Sequence, residues 1–210
     1  MREDERRENG LLFDPADAEL VRLKAKAHDL DRLYNSLADN DPRRQTCLEE
    51  LLGKLGRDCL FQGPIYFHYG IHTQVGDTVF ASFNFTVQDD AAVTIGNNCD
   101  FGPNVTIVTP VHPMLPAERR AMRKENGDVR QLCYARPVHI GNDCWICAGV
   151  TICPGVTIGD GCVIGAGSVV TRDVPAHSFA AGTPCRVIRA IGPEETLAAR
   201  RDLLAGCTLL

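Results

Sequence analysis

No stretch of this sequence stays apolar for the roughly 20 residues that crossing a bilayer requires, and no basic excess marks a nucleic-acid surface. Lysine and arginine number 22 against 27 aspartates and glutamates, a formal net charge of −5, the wrong sign for a polyanion partner. The first residues, Met1 to Asn9, are charged, and no apolar segment follows them. A secretory signal is therefore not expected, and the expected location is the cytoplasm. A second Cys-x-x-Cys is also missing. Cys144 and Cys147 have ligand-like spacing, but Cys153 and Cys162 follow at separations that suit neither a zinc finger nor a zinc ribbon. The ten cysteines are thus expected as reduced thiols, with structural zinc as the alternative.

The 210 residues, 44% apolar and 23% charged, suit one large packed domain or a domain with a small appendage. Their main feature is a repeat. From residue 140 the chain reads IGNDCW-ICAGVT-ICPGVT-IGDGCV-IGAGSV-VTRDVP, with Ile140, Ile146, Ile152, Ile158, Ile164 and Val170 six apart. Small or medium residues recur four later at Cys144, Val150, Val156, Cys162 and Ser168. Val75, Ala81 and Val87 keep the period; the phase slips by two near Asp89-Asp90 and resumes at Ile95, Phe101 and Ile107. No helical period fits this spacing. Three hexapeptides make one triangular coil of a parallel β-helix, so residues 18 apart should stack about 4.8 Å apart in neighbouring coils. Ile140 then meets Ile158, Ile146 meets Ile164, and Cys144 meets Cys162. The glycines after the aliphatic residue, Gly96, Gly102, Gly141, Gly159 and Gly165, are expected at corners that need permissive backbone angles. Cys99, Cys144 and Cys162 fall at the small inward position and should act as buried apolar residues.

Two amphipathic helices are expected before the coil. Asp14-Pro15 offers a cap and a first-turn proline, and Leu20, Leu23, Ala27, Leu30 and Tyr34 follow at helical spacing. Asp41-Pro42 starts the second, with Leu48, Leu51, Leu52 and Leu55 as its apolar face and Gly56 as its stop. They should cover the open end of the coil. The chain thus divides into a helical cap (1–60), the β-helix (61–190) with a polar loop inserted at 113–136, and a tail (191–210) with a short helix near Pro193 to Leu204.

Several long segments resemble one family in order and spacing: PIYFHYG (64–70), VTIGNNCDFGPNVTIVTPVHP (93–113), PVHIGNDCWI (137–146), VIGAGSVVTRDVP (163–175) and AAGTPCRVIR (180–189). They resemble the maltose, galactoside and nodulation-factor O-acetyltransferases among the hexapeptide-repeat acyltransferases, across roughly Leu11 to Ile191. The resemblance implies a mainly β fold, a left-handed parallel β-helix, and a homotrimer with active sites between subunits. It also implies transfer of an acetyl group from acetyl-CoA, with no metal, to a hydroxyl of a small sugar-like acceptor.

Acyl transfer to an alcohol needs a base, and histidine titrates near the working pH. His112, in TPVHP where the repeat breaks, matches the family's base. His28 on a helix, His139 in a strand and His177 on the last turns are expected to be structural or surface residues. Asp90 resembles a carboxylate that lines the acceptor pocket. His68 and Ser82 stand in that pocket where relatives carry other residues, as Pro15 and Lys24 do nearby. Trp145, Ala148, Gly165 and Ala166 match positions along the coenzyme arm. Thr171, Arg172, Arg186 and Arg189 match its far end, where guanidinium groups suit phosphates. Ala148 replaces a serine of some relatives, which leaves backbone amides to hold the thioester oxygen. Three other readings stay open: a covalent acetyl-enzyme on Cys147, a β-helix zinc enzyme using His68 and His72 in the manner of γ-carbonic anhydrases, and a non-catalytic scaffold.

Overall fold

The computed structural model of the chain describes residues 1–205 and 207–208. Short parallel strands stack into three faces of a β-helix. The first face holds Leu60–Phe61, Phe80–Ala81, Asp100–Phe101, Trp145–Ile146 and Val163–Ile164, closed by the antiparallel pair Ser178–Gly182 and Cys185–Ala190. The second runs from Ile65–Phe67 through Phe85–Gln88, Thr106–Val108 and Thr151–Ile152 to Val169–Val170. The third stacks Thr73–Val75, Val93–Ile95, Val138–Ile140 and Thr157–Ile158. Alternate residues of each strand point inward, and Phe61, Phe85, Phe101, Ile107, Ile146, Ile152 and Ile164 form one continuous apolar column.

The stacking follows the repeat where the hexapeptides are regular. Ile140 pairs with Ile158, Ile146 with Ile164 and Ile152 with Val170. In the earlier coils the partner lies twenty residues on: Val75 with Ile95, Ala81 with Phe101, Val87 with Ile107. The phase slip is therefore a wider corner between the second and third faces, where Tyr69-Gly70 and Asp89-Asp90 add two residues per coil. Cys99, Cys144 and Cys162 lie buried in the column, and all ten cysteines are unbridged.

The repeat glycines correct an expectation. None of Gly96, Gly102, Gly141, Gly159 and Gly165 has a positive φ. What they supply is room between coils: a Cβ on Gly96 would sit 2.6 Å from the Gly141 backbone, and one on Gly102 2.6 Å from the Ala148 nitrogen. The left-handed corners fall instead to Asn84, Asn98, Asn104 and Asp143, and later to Gly149, Gly155, Gly161 and Gly167, residue types that tolerate that region.

Helix bounds also shift. An unexpected helix α1 spans Glu3–Glu8. Helix α2 spans Ala18–Ser36, capped by Asp17, whose carboxylate accepts from the amides of Glu19 and Leu20. Asp14 instead turns the chain, accepting from the Ala16 amide. Helix α3, Arg43–Leu51, ends five residues before Gly56, which packs on the backbone of Gly76 in the coil above. The tail forms separate short turns, Pro193–Glu195, Leu197–Ala199 and Arg201–Leu204, rather than one helix.

The way α2 covers the coil bears on the site. Ile65–Phe67 is the last strand of its face, and among the described residues no strand neighbours its outer edge. Two α2 side chains one turn apart take that place. Asn35 accepts from the Ile65 amide and donates to its carbonyl, at 2.8 Å each, and Asp31 Oδ2 accepts from the Phe67 amide at 2.8 Å. Left unpaired, such buried backbone groups would cost about 1–3 kcal/mol each.

Candidate active site

The widened corner gathers a cluster of buried and half-buried titratable groups. Asp89 is fully buried; its Oδ1 accepts from the Tyr69 amide at 2.8 Å and its Oδ2 from the Thr73 hydroxyl at 2.9 Å. Its carbonyl lies 2.7 Å from His72 Nδ1, which must be the donor there. These bonds tie the extra residues together: the Asp89 carboxylate satisfies the Tyr69 amide of one coil and the Thr73 hydroxyl. Asp90 is 3% exposed, and its carbonyl accepts from Arg7 Nη1 of α1 at 2.7 Å. Burial, and then the charge of Asp89, pushes its carboxyl up to about 6.

His68 Nε2 lies 4.0 Å from Asp90 Oδ1. The contact is no ion pair at neutral pH, because burial, then the charges of Lys24 and His28, pulls the His68 imidazole down to about 4. Its ring meets Tyr69 edge-on at 5.0 Å and His28 at 5.8 Å. The Tyr69 hydroxyl is buried with no partner among the described residues, and burial raises its pKa. Lys24 Nζ donates to the Pro15 carbonyl at 2.7 Å and lies 5.9 Å from the Tyr69 ring centroid. Pro15 and Lys24 thus meet at this corner.

His112 leaves the coil at the same corner, one level above Asp89 and Asp90. Thr109 stitches the levels together: its hydroxyl donates to the Gln88 carbonyl at 2.7 Å and accepts from the Ala91 amide at 2.9 Å. Pro110–Val111 then pairs antiparallel with Tyr134–Ala135, which sets His112 at the mouth of the inserted loop, exposed. No partner of its ring is found among the described residues. The loop is structured, with a short helix at Pro116–Arg120 and a hairpin of Met122–Arg123 with Val129–Arg130. The N-terminal segment holds it down through Phe13 bridging to Cys133, Glu3 with Lys124 at 2.5 Å, and Asp14 with Arg130 at 3.3 Å.

Ser82 is elsewhere. It is buried at the corner between the first and second faces, its hydroxyl donating to Gln62 Oε1 at 3.0 Å. Ascending that corner, backbone bonds link Ser82 to Phe101, Gly102 to Ile146, Cys147 to Ile164 and Gly165 to Ala180. Ala148, Gly165 and Ala166 therefore form a ledge with no bulky side chain, and Trp145 stands beside it, 55% exposed. Arg186 and Arg189 are exposed above the ledge on Cys185–Ala190. Arg186 donates to the Cys185 carbonyl, and Arg189 pairs with Glu195 over the Phe179 ring. Thr171 and Arg172 sit exposed at the other corner, above His112's. The predicted residues thus fall into two groups on different corners of the protomer.

Three residues of the corner escaped sequence reasoning. Arg7 has no motif and is seen only once α1 packs. His28, expected to be structural, faces His68. Asp31 carried a signal: a carboxylate four residues after Ala27, on the buried stripe of α2. The Cys147 thiol is held above its usual range by burial, the wrong direction for a nucleophile. Among the described residues no three His, Cys, Asp or Glu side chains gather as a metal site, and His72 is engaged with Asp89.

Two families match this chain: the bacterial transferase hexapeptide (six repeats) over residues 137–172, and the maltose acetyltransferase hexapeptide capping motif over residues 6–56. A galactoside O-acetyltransferase of Escherichia coli (strain K12) is 43% identical over 73% of this chain and 71% of its own. Nodulation protein L of Rhizobium leguminosarum bv. viciae is 41% identical over 85% of this chain and 90% of its own. The structure of a galactoside acetyltransferase in complex with coenzyme A superposes with a TM-score of 0.85 at 38% identity, covering 93% of this chain and 94% of the other.

Proposed function

The chain belongs to the hexapeptide-repeat O-acetyltransferases that use acetyl-CoA, and on that premise we propose that it acetylates a hydroxyl of a small sugar-like acceptor by direct attack, with His112 as general base. His112 takes the proton as the hydroxyl oxygen attacks the thioester carbonyl. The tetrahedral intermediate then collapses, breaking the carbon–sulfur bond, and His112 returns the proton to the departing thiolate of coenzyme A. Backbone amides hold the oxyanion, since Ala148 offers no side-chain donor. Asp90, His68 and Ser82 contact the acceptor. The coenzyme arm lies along Trp145, Ala148, Gly165 and Ala166, with Thr171, Arg172, Arg186 and Arg189 toward its phosphates.

The observation that carries this reading is the exit of His112 from the coil directly above the buried Asp89-Asp90 corner, stitched to it through Thr109. The separation of Ser82 from His68 and Asp90 supports a site completed between protomers. A closed three-fold assembly would bring the two corners together, so sedimentation should show a trimer at micromolar concentration. Unbridged thiols and the need for acetyl-CoA fit the cytoplasm.

The test is acetyl-CoA consumption across a panel of sugars, amino sugars and other hydroxyl compounds. Because His68 and Ser82 replace the family's acceptor contacts, maltose, glucose and simple galactosides should have low kcat/KM. Buried polar partners left unpaired discriminate strongly. Efficient acetylation of glucose or a thiogalactoside would make those replacements neutral, and acetylation of no hydroxyl compound would defeat the proposal.

A further inference from the structure

A cleft of about 380 Å³ opens beside the Asp90 corner, between α2 and the outer side of the second face. His68 belongs to both: it lies 4.0 Å from the Asp90 carboxylate and also lines the cleft. His28, Tyr66, Gln88 and Asn35 are exposed lining residues, and the buried Asp31 closes the floor. At the small end of ligand pockets, about 300–1,000 Å³, the cleft has room for one sugar ring.

Its walls are of mixed character. Tyr66 is 48% exposed and gives the cleft an aromatic surface, with Thr86 beside it, while Phe67 and Val87 point inward to the core and contribute only backbone. Around that surface His28 and Gln88 present polar atoms, while Asn35 is engaged at both its oxygen and its nitrogen by Ile65. Asp31 is 5% exposed, and its Oδ1 is buried without a partner among the described residues while Oδ2 holds the Phe67 amide. The cations nearby are engaged, Arg32 by Asp29 and Lys24 by the Pro15 carbonyl, so the cleft is not built for an anion. A pyranose has the complementary surface, with apolar C–H faces and hydroxyls at its edge.

We propose that this cleft is a second acceptor subsite, taking a neutral sugar ring linked to the one that reacts, so that the preferred acceptor is a disaccharide or longer glycoside rather than a monosaccharide. The inference rests on the sugar-acceptor reading above. His68 stands between the two positions, and this is why its replacement of a smaller family residue matters: its neutral imidazole can bridge both rings by hydrogen bonds.

Each sugar of the panel is presented to the enzyme as a methyl glycoside, a disaccharide and an octyl glycoside. The sugar with the highest kcat/KM as a methyl glycoside should gain at least tenfold as the disaccharide, equivalent to about 1.4 kcal/mol. In His28→Ala and Gln88→Ala the ratio of disaccharide to methyl glycoside should fall toward one. A ratio near one in the unaltered enzyme, or an octyl glycoside that outperforms the disaccharide, overturns the proposal while leaving the acetyltransferase reading intact. Binding is read separately by the ring-proton resonances of His28 and His68 in NMR titrations with the same disaccharides. A shift confined to disaccharides supports the subsite even if no sugar is acetylated. Absence of any shift at tens of millimolar refutes it.

Discussion

Replacing Asp31 with asparagine should stabilise the protein at alkaline pH and change little in acid. Burial, opposed only in part by the Phe67 amide and then reinforced by the charge of Asp89, raises the Asp31 carboxyl from its ordinary 3.8 to about 7. A carboxyl raised on folding binds its proton more tightly in the native than in the unfolded state. Its contribution is therefore fully present below about 4 and lost as pH climbs through 7. A displacement of that size corresponds to about 4 kcal/mol of lost stability at high pH. Asp31 lines a cleft that water enters, so about 2–4 kcal/mol is the expected range. Asparagine keeps the acceptor for the Phe67 amide but carries no charge to desolvate, and should recover much of this. At this chain length 2 kcal/mol is about 4–8 °C in Tm. His68, lowered to about 4, works the other way, its stability being present above its unfolded value and lost as pH falls toward 4. Comparing variant with parent at each pH cancels that background. Calorimetry at pH 4 and pH 8 is the assay. Equal Tm differences at both values, or destabilisation at pH 8, would show that Asp31 is charged and content in the native protein.

His112→Ala should fold normally, bind coenzyme A by calorimetry, and lose about 10²–10⁴-fold in turnover; more than a tenth of the parent rate would remove His112 from the role of base. Arg7→Ala should raise KM for the acceptor while leaving KM for acetyl-CoA in place, since Arg7 supports the Asp90 carbonyl; an equal change in both would make it a purely structural residue. Arg186→Ala should weaken coenzyme A more than dephospho-coenzyme A if it holds the 3′-phosphate, and equal losses would assign it elsewhere. Thiol counting under denaturing, non-reducing conditions should find ten, because Cys99, Cys144 and Cys162 are stacked but unbridged.

Much of the fold could be read residue by residue. A period of six admits one architecture, and inward aliphatics 18 apart dictate which residues stack, because a β-helix coil has almost no freedom in register. That is why Ile140, Ile146 and Ile152 found their partners without error. The break in the coil at His112 was equally legible, since the repeat stops there and the inserted loop begins. The glycine argument failed for a physical reason: a sequence shows that a Cβ is unwelcome, but not whether a backbone angle or a neighbouring coil forbids it.

What only the tertiary structure decided depends on contacts between segments far apart in the chain. The phase slip at Asp89-Asp90 was visible, but not that a buried carboxylate satisfies the Tyr69 amide and the Thr73 hydroxyl at the bulge. Nor could spacing reveal that Asn35 and Asp31 stand in for a missing strand at the end of the coil, or that Arg7 reaches Asp90 from a helix 83 residues away. Local periodicity follows from the repeating geometry of one chain segment, and so the sequence by itself determined the coil, its inward residues and the place where the coil is interrupted. Burial, charge and the filling of a corner depend on which segments meet there. Whether Asp31 holds a proton, whether His68 is neutral, and what shape is left beside them are outcomes of packing.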